Sequence, residues 1–459
     1  MTYEELAAAY EALKVEHAAV LVRLEALERR LRKNSTNSSS PPSSDHPKVE
    51  RPKRPPSGLK RGGQPGHKGH QRATVAPDRV DHRVVCNLDE PCEYCGSSSL
   101  QEQGRALRQT FELPEIRPIV TEYDVEHGRC TGCRRRRRAA TPIDMPKGCL
   151  GPRAQALSAT LTGGFHLSRR DTEKLLGEVM GLDVSLGTVS NTEKVVSLAI
   201  EPAYDEVKGH IDAAPVKHVD ETGVSRAGMH HTAWALSTPQ AVLLRLGQTR
   251  GRKAFDLLRG PRDDDVFVTD RYVVYDKIPA QRRQLCWSHI LRVFQALVDD
   301  PVELAKEVGG KLQKSGRAAL HAYNEHKRGA IERSTRDATC ATSRSEMKQL
   351  LALHRDLTGL KTLMYAFWLA ERSVWLFLER DDVDPTNNRV ERDLRPLVIW
   401  QKTSFGTASN RGDRFAERML TVVGTSRKQG RSFYDFIVDA TVAKLVGRLP
   451  MRLLPAPSG

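Results

Sequence analysis

Two short stretches of the sequence decide the fold: APVKHVDETG at residues 214–223 and VFVTD at residues 266–270. In each stretch a short run with two valines leads directly into an aspartate, Asp220 in the first and Asp270 in the second. Runs of this length and composition predict buried strands. Either aspartate alone would be explained as a strand-end cap. Two adjacent carboxylates are costly unless a cation neutralises them, so the pair together indicates a metal site.

The segments around these stretches predict the rest of one sheet. Strand patterns occupy residues 216–219, 229–236, 241–246, 266–268 and 283–286, and helical patterns occupy residues 252–259 and 272–276. The order strand, strand, strand, helix, strand, helix, strand is that of the ribonuclease-H-like fold, in which the first and fourth strands are neighbours. We therefore expect Asp220 and Asp270 to lie side by side, as hard oxygen ligands suited to Mg²⁺ or Mn²⁺.

A third acidic residue, Glu391, lies far along the chain, after a segment at 291–385 that predicts a helical insertion. A turn at 384–388 precedes a helix that carries Glu391 on its first turns. Carboxylates that converge from two strand ends and a helix can hold two divalent cations for in-line attack on a phosphodiester. The neighbouring arginines indicate either a surface salt-bridge face or phosphate contacts beside the metal: Arg389, Arg392 and Arg395.

Length and charge narrow the class of protein. The 459 residues suffice for two to four domains. Lys and Arg outnumber Asp and Glu by 72 to 57, a formal net charge of +15. This excess favours a polyanion as partner, although a solvated basic surface has the same composition. The sequence has neither a membrane-length apolar run nor a signal-peptide pattern. We expect a cytoplasmic protein without a membrane partner, associated with the nucleoid when bound to DNA.

Residues 1–33 predict one long helix with an apolar seam. The seam residues recur in alternating steps of three and four, which is a coiled-coil pattern: Leu6, Tyr10, Leu13, His17, Val20, Leu24, Leu27 and Leu31. The alternatives are self-association through the seam and a single amphipathic helix packed on its own domain. We favour self-association because no second helix follows to cover the seam.

Residues 34–80 predict a linker or an arm. The polar run KNSTNSSSPP at residues 33–42 cannot bury a core. A basic tract rich in Gly and Pro follows, with Arg61 and Lys68 among its charges. Extended arms of this composition can lie in the minor groove of DNA. The tract is therefore either a DNA-binding arm or a solvated linker.

Residues 81–148 predict a zinc-binding domain. Two Cys-x-x-Cys pairs supply the ligands of a tetrahedral structural zinc site: Cys92, Cys95, Cys130 and Cys133. In a chain without a secretion signal this pattern favours metal over disulfides. Free thiols are the alternative, and Cys86 is a substitute ligand of lower rank. Residues 107–125 between the pairs predict a hairpin. Five arginines after the second pair predict a phosphate-binding patch: Arg134, Arg135, Arg136, Arg137 and Arg138.

The sequence patterns in the next two segments do not determine a function. Residues 149–210 predict helices, and a glycine-containing turn at Gly181 separates two of them. Helix, turn and helix are compatible with a helix-turn-helix DNA reader and equally with a plain helical pair.

Cys286 and His289 form a Cys-x-x-His pattern after the fifth strand. It indicates either a metal ligand pair or packing against the wall of the site, and we favour packing because no second pair is evident.

These motifs, taken in order, resemble the transposases of the IS66 family of bacterial insertion sequences. The matching pieces are KNSTNSSSPPSSD at 33–45, GGQPGHKGH at 62–70, the two Cys-x-x-Cys pairs, VDETG at 219–223, TDRY at 269–272, LCWSH at 285–289 and NNRVERDLRP at 387–396. The resemblance implies a DDE transposase with a leucine-zipper-like region, a zinc-binding region and a ribonuclease-H-like catalytic domain. It also implies that Asp220, Asp270 and Glu391 are the catalytic triad.

The expected fold is therefore multidomain α+β. Its parts are a coiled-coil helix (1–33), a basic arm or linker (34–80), a zinc-binding domain (81–148), a helical DNA-binding region (149–210), a ribonuclease-H-like core (211–290), a helical insertion (291–385), the C-terminal part of the core with Glu391 (386–440) and a tail (441–459). The tail carries no motif.

The expected function is metal-dependent cleavage and joining of DNA at the ends of an insertion sequence and at its target. Two DNA ends imply at least a homodimer, and the resemblance suggests small accessory proteins of the same element. The alternatives are a DNA-binding regulator without catalysis, which would have no reason to keep all three acids, and a ribonuclease-H-like nuclease acting on RNA or junctions. The DNA-recognition modules argue against the latter.

Overall fold

The computed structural model describes residues 2–38, 45, 62, 66–68, 72–87, 90–99, 101, 103–357, 360, 366–367 and 370–455. The chain divides into two compact units. The larger contains residues 1–49 and 119–459, and the smaller contains residues 50–118. The larger unit mixes helices with a sheet, which agrees with the expected α+β class.

The helices of the larger unit are α1 (Tyr3–Leu31), α2 (Pro152–Gly163), α3 (Arg169–Met180), α4 (Leu186–Ala199), α5 (Glu201–Ala213), α6 (Arg252–Leu258), α7 (Trp287–Val298), α8 (Glu303–Lys327), α9 (Arg333–Leu353), α10 (Glu371–Glu379), α11 (Asn388–Ser404), α12 (Asn410–Lys428) and α13 (Phe433–Val446). Its strands are β1 (His127–Arg129), β2 (Arg136–Arg138), β3 (Val216–Arg226), β4 (Met229–Ser237), β5 (Val242–Gln248), β6 (Val266–Thr269) and β7 (Arg283–Leu285). All five predicted strands of the sheet form, and all but β3 end within about two residues of their expected positions.

One five-stranded sheet, with the order β5–β4–β3–β6–β7, organises the larger unit. The central strand β3 pairs antiparallel with β4 and parallel with β6, and β6 pairs parallel with β7. The first and fourth strands of the sheet are therefore neighbours, as predicted. The predicted helix at 272–276 is present only as a single 3₁₀ turn, Val273–Tyr275.

The central strand is longer than expected. It continues past Asp220 to Arg226 and turns into β4 through Ala227 and Gly228, whose φ angles are 52° and 78°. Two successive residues at positive φ give a turn whose twist matches that of a β-hairpin. The sequence Thr222-Gly223 resembles a turn, but pairing with β4 holds it extended. The expectation that the strand ends at Asp220 was therefore wrong.

Different helices bury the two faces of the sheet. In β4, Trp234 and Leu236 point into a core shared with α2, α5, α6 and α13. Ala233 and Ala235 point into a second core, shared with α11 and α12. This alternation follows from the period of two along a strand. Because Asp220 is directly opposite Ala235, it lies on the face that α11 covers.

Side chains of α12 close the outer edge of β5. Alternate amides of the strand donate to oxygens spaced four residues apart on the helix: Val242 N to Thr425 Oγ1 (3.2 Å), Leu244 N to Thr421 Oγ1 (3.0 Å) and Leu246 N to Glu417 Oε1 (2.7 Å). Four helical residues rise about 6 Å and two strand residues about 6.8 Å, so the two spacings match. The contact satisfies an edge that would otherwise be open to pairing with another chain.

The predicted helical insertion forms α7 to α10 around a core that it shares with strands β6 and β7. Trp287 and Trp375 are completely or almost completely buried there, with ring centroids 4.8 Å apart. Gln284 of β7 ties α10 to the sheet, because its amide nitrogen donates to Val374 O (3.0 Å) and its oxygen accepts from Phe377 N (2.9 Å).

The helical region before the sheet contains the predicted helix, turn and helix. Ser168 caps the start of α3 and Ser185 caps the start of α4. Gly181 ends α3 in the left-handed conformation with φ of 63°. These are the contacts of any well-capped helical pair. A DNA-reading role for α3 and α4 therefore stays a prediction.

The N-terminal helix is confirmed, and it buries none of its residues. Its C-terminal end is attached to the start of the helical insertion, because Arg29 Nε donates to Asp300 Oδ2 (2.8 Å) and Asn37 Nδ2 donates to Asp299 Oδ2 (2.8 Å). Seam residues such as Leu13 and Leu24 remain more than half exposed. Packing of the seam on its own domain is not seen among the described residues, and self-association stays a prediction.

The cysteine-rich region differs from expectation in one respect. Residues 107–125 form no strand, and the antiparallel pair lies instead at β1 and β2, on either side of Cys130 and Cys133. The Cys-x-x-Cys turn itself reverses the chain, so the strands that flank it are brought together. In the smaller unit, the Gln109 side chain pairs with both backbone polar groups of Val75. No described helix is long and apolar enough to cross a membrane.

Candidate active site

Asp220 and Asp270 meet on neighbouring strands at the centre of the sheet. The parallel register pairs His218 with Val268, so two residues further along each chain Asp220 comes opposite Asp270. Asp270 follows β6 directly and accepts a hydrogen bond from Tyr272 N (2.8 Å). Parallel pairing has ended at this point. Consequently the two carboxylates lie where the strands part and side chains from α11 can approach.

Burial and mutual repulsion disfavour negative charge in this site. The pKa of Asp220 is raised well above its ordinary value by burial and by the charges of Glu221, Asp270 and Glu391. Burial also raises the pKa of Asp270, against the opposing effect of the Tyr272 amide. Buried acids that repel one another are stabilised in their ionised form by a cation. An all-oxygen donor set therefore fits a hard divalent ion.

A buried asparagine links the start of the Glu391 helix to the strand of Asp220. Asn387 is completely buried just before α11, and its carbonyl accepts from Glu391 N (3.3 Å). Its Nδ2 donates to Val219 O (2.8 Å), the residue before Asp220. Its backbone amide donates to Cys286 Sγ (3.1 Å). Asn387 thus connects the start of the Glu391 helix with the strand that carries Asp220. Burial raises the pKa of Glu391, and the charge of Asp270 adds to that shift, whereas Arg292 opposes it.

Glu391 also belongs to a second group of side chains, together with Cys286 and His289. The ligand atoms of Cys286, His289 and Glu391 lie within 4.8 Å of one another, the one such group of three in the described part of the chain. Burial raises the pKa of the Cys286 thiol to about 11 and lowers the pKa of His289 to about 4. The complete burial of Cys286 agrees with the expected packing role, while the proximity to Glu391 was not evident from the Cys-x-x-His spacing.

Sequence reasoning overlooked two other residues of the site. The side chain of Glu221 is buried. It accepts a hydrogen bond from the Tyr275 hydroxyl (2.7 Å) and forms an ion pair with Arg250 (3.0 Å). Arg283 donates through its guanidinium to the backbone oxygen of Asp270 (3.1 Å). Glu221 directly follows Asp220 in the sequence, and this pair of adjacent acids could have identified Glu221 as a residue of the site. Nothing in the sequence pointed to Arg283, because its role comes from the β6–β7 pairing.

The arginines expected to contact DNA have different environments. Arg389 is held by Asp384 (2.7 Å), which leaves it less available to phosphate than Arg392 and Arg395, both exposed. The five arginines of residues 134–138 are all exposed. Lys68 is exposed in the smaller unit, and Arg61 lies outside the described residues. Each of these DNA contacts stays a prediction.

The two Cys-x-x-Cys pairs form the same local turn. Gly96 N donates to Cys92 O and Arg134 N to Cys130 O, each at 2.8 Å. The pKa of Cys92 is lowered, first by the amide of Tyr94, and that of Cys130 is lowered first by the amide of Cys133. Amides directed at sulfur favour the thiolate that zinc requires. The pairs belong to different compact units, so a four-cysteine site stays a prediction, and Cys86 is simply exposed.

Comparison with known proteins identifies the family. A model described as the transposase IS66 family matches residues 147–414, more than half of the chain, and a family of unknown function (DUF6444) matches residues 1–73. The chain therefore belongs to the IS66 transposase family, as its motifs indicated.

Two curated relatives have been found, both from Sinorhizobium fredii. The uncharacterized protein y4hP is 24% identical over 393 residues, which cover 76% of this chain and 70% of the relative. The uncharacterized protein y4jO is 26% identical over 155 residues, which cover 34% of this chain and 46% of the relative. Family membership supports a transposase-related function that involves DNA and a divalent metal. The relatives' names add no activity.

Proposed function

We propose that this protein is a DDE transposase with a ribonuclease-H-like core, which binds the ends of its insertion sequence and catalyses DNA cleavage and strand transfer. The observation that carries the proposal is the convergence of Asp220, Asp270 and Glu391 from two neighbouring strands and a helix, with a raised pKa at each carboxyl. The sheet order and the family provide the context.

In this proposal each acid has a defined role. Asp220 and Asp270 would hold two divalent cations, and Glu391 would complete their coordination. When bound, two Mg²⁺ or Mn²⁺ ions activate the attacking oxygen of water, and later of a DNA 3′-hydroxyl, and stabilise the leaving oxygen. Asp220 and Asp270 lie on one rigid pair of strands, and Asn387 fixes the helix of Glu391 against β3. Since the protein supplies only ligands, no covalent protein–DNA intermediate is needed.

Asp220→Asn tests this assignment. The variant removes one charge at the centre of the site, so we expect Mg²⁺-dependent cleavage of a duplex carrying the element's end to be abolished while binding of that duplex is nearly unchanged. Asp256→Asn is the matched control, because Asp256 is an exposed residue of α6 and should leave cleavage unchanged.

Cleavage by purified Asp220→Asn at a near wild-type rate, free of contaminating nuclease, would refute the assignment. Wild-type protein that binds the end but never nicks it with Mg²⁺ or Mn²⁺ would instead support the alternative, a regulatory DNA-binding protein derived from a transposase.

The exposed modules fit the DNA-handling part of the proposal. The arginines at 134–138 and the exposed Arg392 and Arg395 would neutralise phosphates, which predicts a steep salt dependence of binding. The exposed seam of α1 would join two copies so that both ends of the element are held together. A structural zinc at the four cysteines would fix the arginine-bearing hairpin. Accessory proteins of the element would act on this assembled complex.

A further inference from the structure

His289 faces the third acid of the proposed catalytic site. Its Nδ1 lies 3.8 Å from Glu391 Oε1. Both atoms are buried, and neither has a hydrogen-bond partner in the described structure. Buried polar atoms are almost always paired, because an unpaired one keeps the cost of losing water. Two complementary atoms that face each other across so short a gap therefore require an explanation.

The other ring nitrogen of His289 determines where the proton lies. Arg292 Nη1 is 3.2 Å from His289 Nε2. A guanidinium can only donate hydrogen bonds, so Nε2 is the acceptor and the ring proton is on Nδ1. That proton points toward Glu391. The same guanidinium lies 3.8 Å from Glu391 Oε2, so Arg292 borders both residues.

We propose that His289 is a positioning residue, whose Nδ1–H donates to Glu391 Oε1 and orients the carboxylate so that Oε2 is presented to the divalent cation. The proposal rests on the proposed function, since it assigns a partner to one of its three acids. The observed gap exceeds a normal hydrogen bond by about 1 Å. Hydrogen bonds of catalytic groups are often long in the absence of substrate and tighten when it binds. Outer hydrogen bonds of this kind orient metal ligands.

The contacts favour this hydrogen bond over a soft-metal site made of Cys286, His289 and Glu391. Cys286 Sγ already accepts the amide of Asn387. A metal on Nδ1 of a neutral ring would move the proton to Nε2, where it would face the donor groups of Arg292. Zinc commonly uses Cys, His and Glu ligands, so the two possibilities must be separated by experiment.

The test compares three substitutions in the full-length chain: His289→Asn, His289→Gln and His289→Ala. The amide of Asn can place a donor near the Nδ1 position, whereas the amide of Gln reaches the Nε2 position. We expect Ala and Gln to weaken Mn²⁺ binding, measured by electron paramagnetic resonance without DNA, by about tenfold or more. We expect Asn to restore most of the affinity. The Mg²⁺ concentration for half-maximal cleavage should change in the same order.

Equal Mn²⁺ affinity in wild type and His289→Ala, or an Asn variant as weak as Ala, would overturn the positioning role. So would a zinc ion in the purified protein that Cys286→Ser removes and Cys340→Ser keeps, since Cys340 is an equally buried thiol outside the group. Circular dichroism shows whether each variant is folded, and the Asn–Gln contrast remains decisive because both variants carry similar amides. Failure of the proposed function is distinguishable, because wild type and Asp220→Asn would then bind Mn²⁺ alike.

Discussion

The central sheet and the cysteine hairpin of residues 127–138 are buried to opposite extents. The sheet is covered on both faces, and residues such as Val219, Trp234 and Val268 have no exposed surface. Every residue of β1 and β2 is exposed. Two strands of three residues cannot bury a core and are not stable alone. The sheet is thus held by its own packing, whereas we predict that the hairpin depends on a bound zinc ion.

The buried and the exposed cysteines of the chain show a similar difference. Burial raises the pKa of the Cys286 and Cys340 thiols to about 11, so these sulfurs behave as neutral, apolar groups. Backbone amides lower the pKa of Cys92 and Cys130 in their exposed turns. The first environment suits packing, and the second suits a thiolate that binds metal. Cysteine count alone could not have separated these roles.

The largest expected effect is the loss of the hairpin when zinc is removed. Structural zinc contributes about 10–16 kcal/mol of apparent binding free energy, which is folding free energy for a segment without a core. We expect Cys130→Ser, or chelation, to release about one zinc per chain. Trypsin should then cut rapidly at residues 134–138. The sheet should remain folded, which tryptophan fluorescence reports, because all five tryptophans lie after residue 233.

Cys149→Ser is the control for the zinc experiment, because Cys149 is exposed and lies outside both turns. Freshly isolated, reduced protein without zinc would refute the metal site. A hairpin that stays resistant to trypsin after chelation would show that its stability comes from elsewhere, and the contrast with the sheet would then be wrong.

The sheet was predictable because its determinants are local. The runs at 216–219 and 266–268 bury their side chains on both faces, and the resulting order of elements fixed the neighbours of Asp220 and Asp270. The contacts of Glu391 were not predictable, since they depend on Asn387, a residue 168 positions from its bonding partner Val219. The hairpin was misplaced to 107–125 because apolar alternation there resembled strands, while the true strands are arginine-rich and determined by the cysteine turn.

A smaller effect is a loss of stability at acidic pH, which we expect from a buried histidine in the sheet. Burial lowers the pKa of His218 to about 4, below its ordinary value of 6.5. The unfolded chain therefore takes up this proton before the folded one, and stability falls as the pH drops from 6.5 to 4. The slope is about 1.4 kcal/mol per pH unit. Raised carboxyl pKa values, such as that of Asp270, act in the opposite direction.

His218→Gln isolates the histidine from those carboxyls. Urea unfolding at pH 7 and at pH 5 should show a smaller acid-induced loss of stability in the variant than in wild type, by roughly 2 kcal/mol. An identical loss in both proteins would mean that His218 is not held neutral in the sheet. A matched His321→Gln variant on the surface of α8 should behave as wild type.

An effect of similar size is expected at the edge of the sheet, where α12 covers strand β5. Thr421 Oγ1 is the acceptor for Leu244 N, and Thr421 is completely buried. Thr421→Val keeps the shape of the side chain but leaves that amide unpaired, so we expect a loss of about 1–3 kcal/mol in the free energy of unfolding. Thr403→Val, on the exposed side of α11, should have little effect. If Thr421→Val were as stable as wild type and as resistant to aggregation, apolar packing alone would hold α12 against β5, and the spacing match between helix and strand would carry no energetic weight.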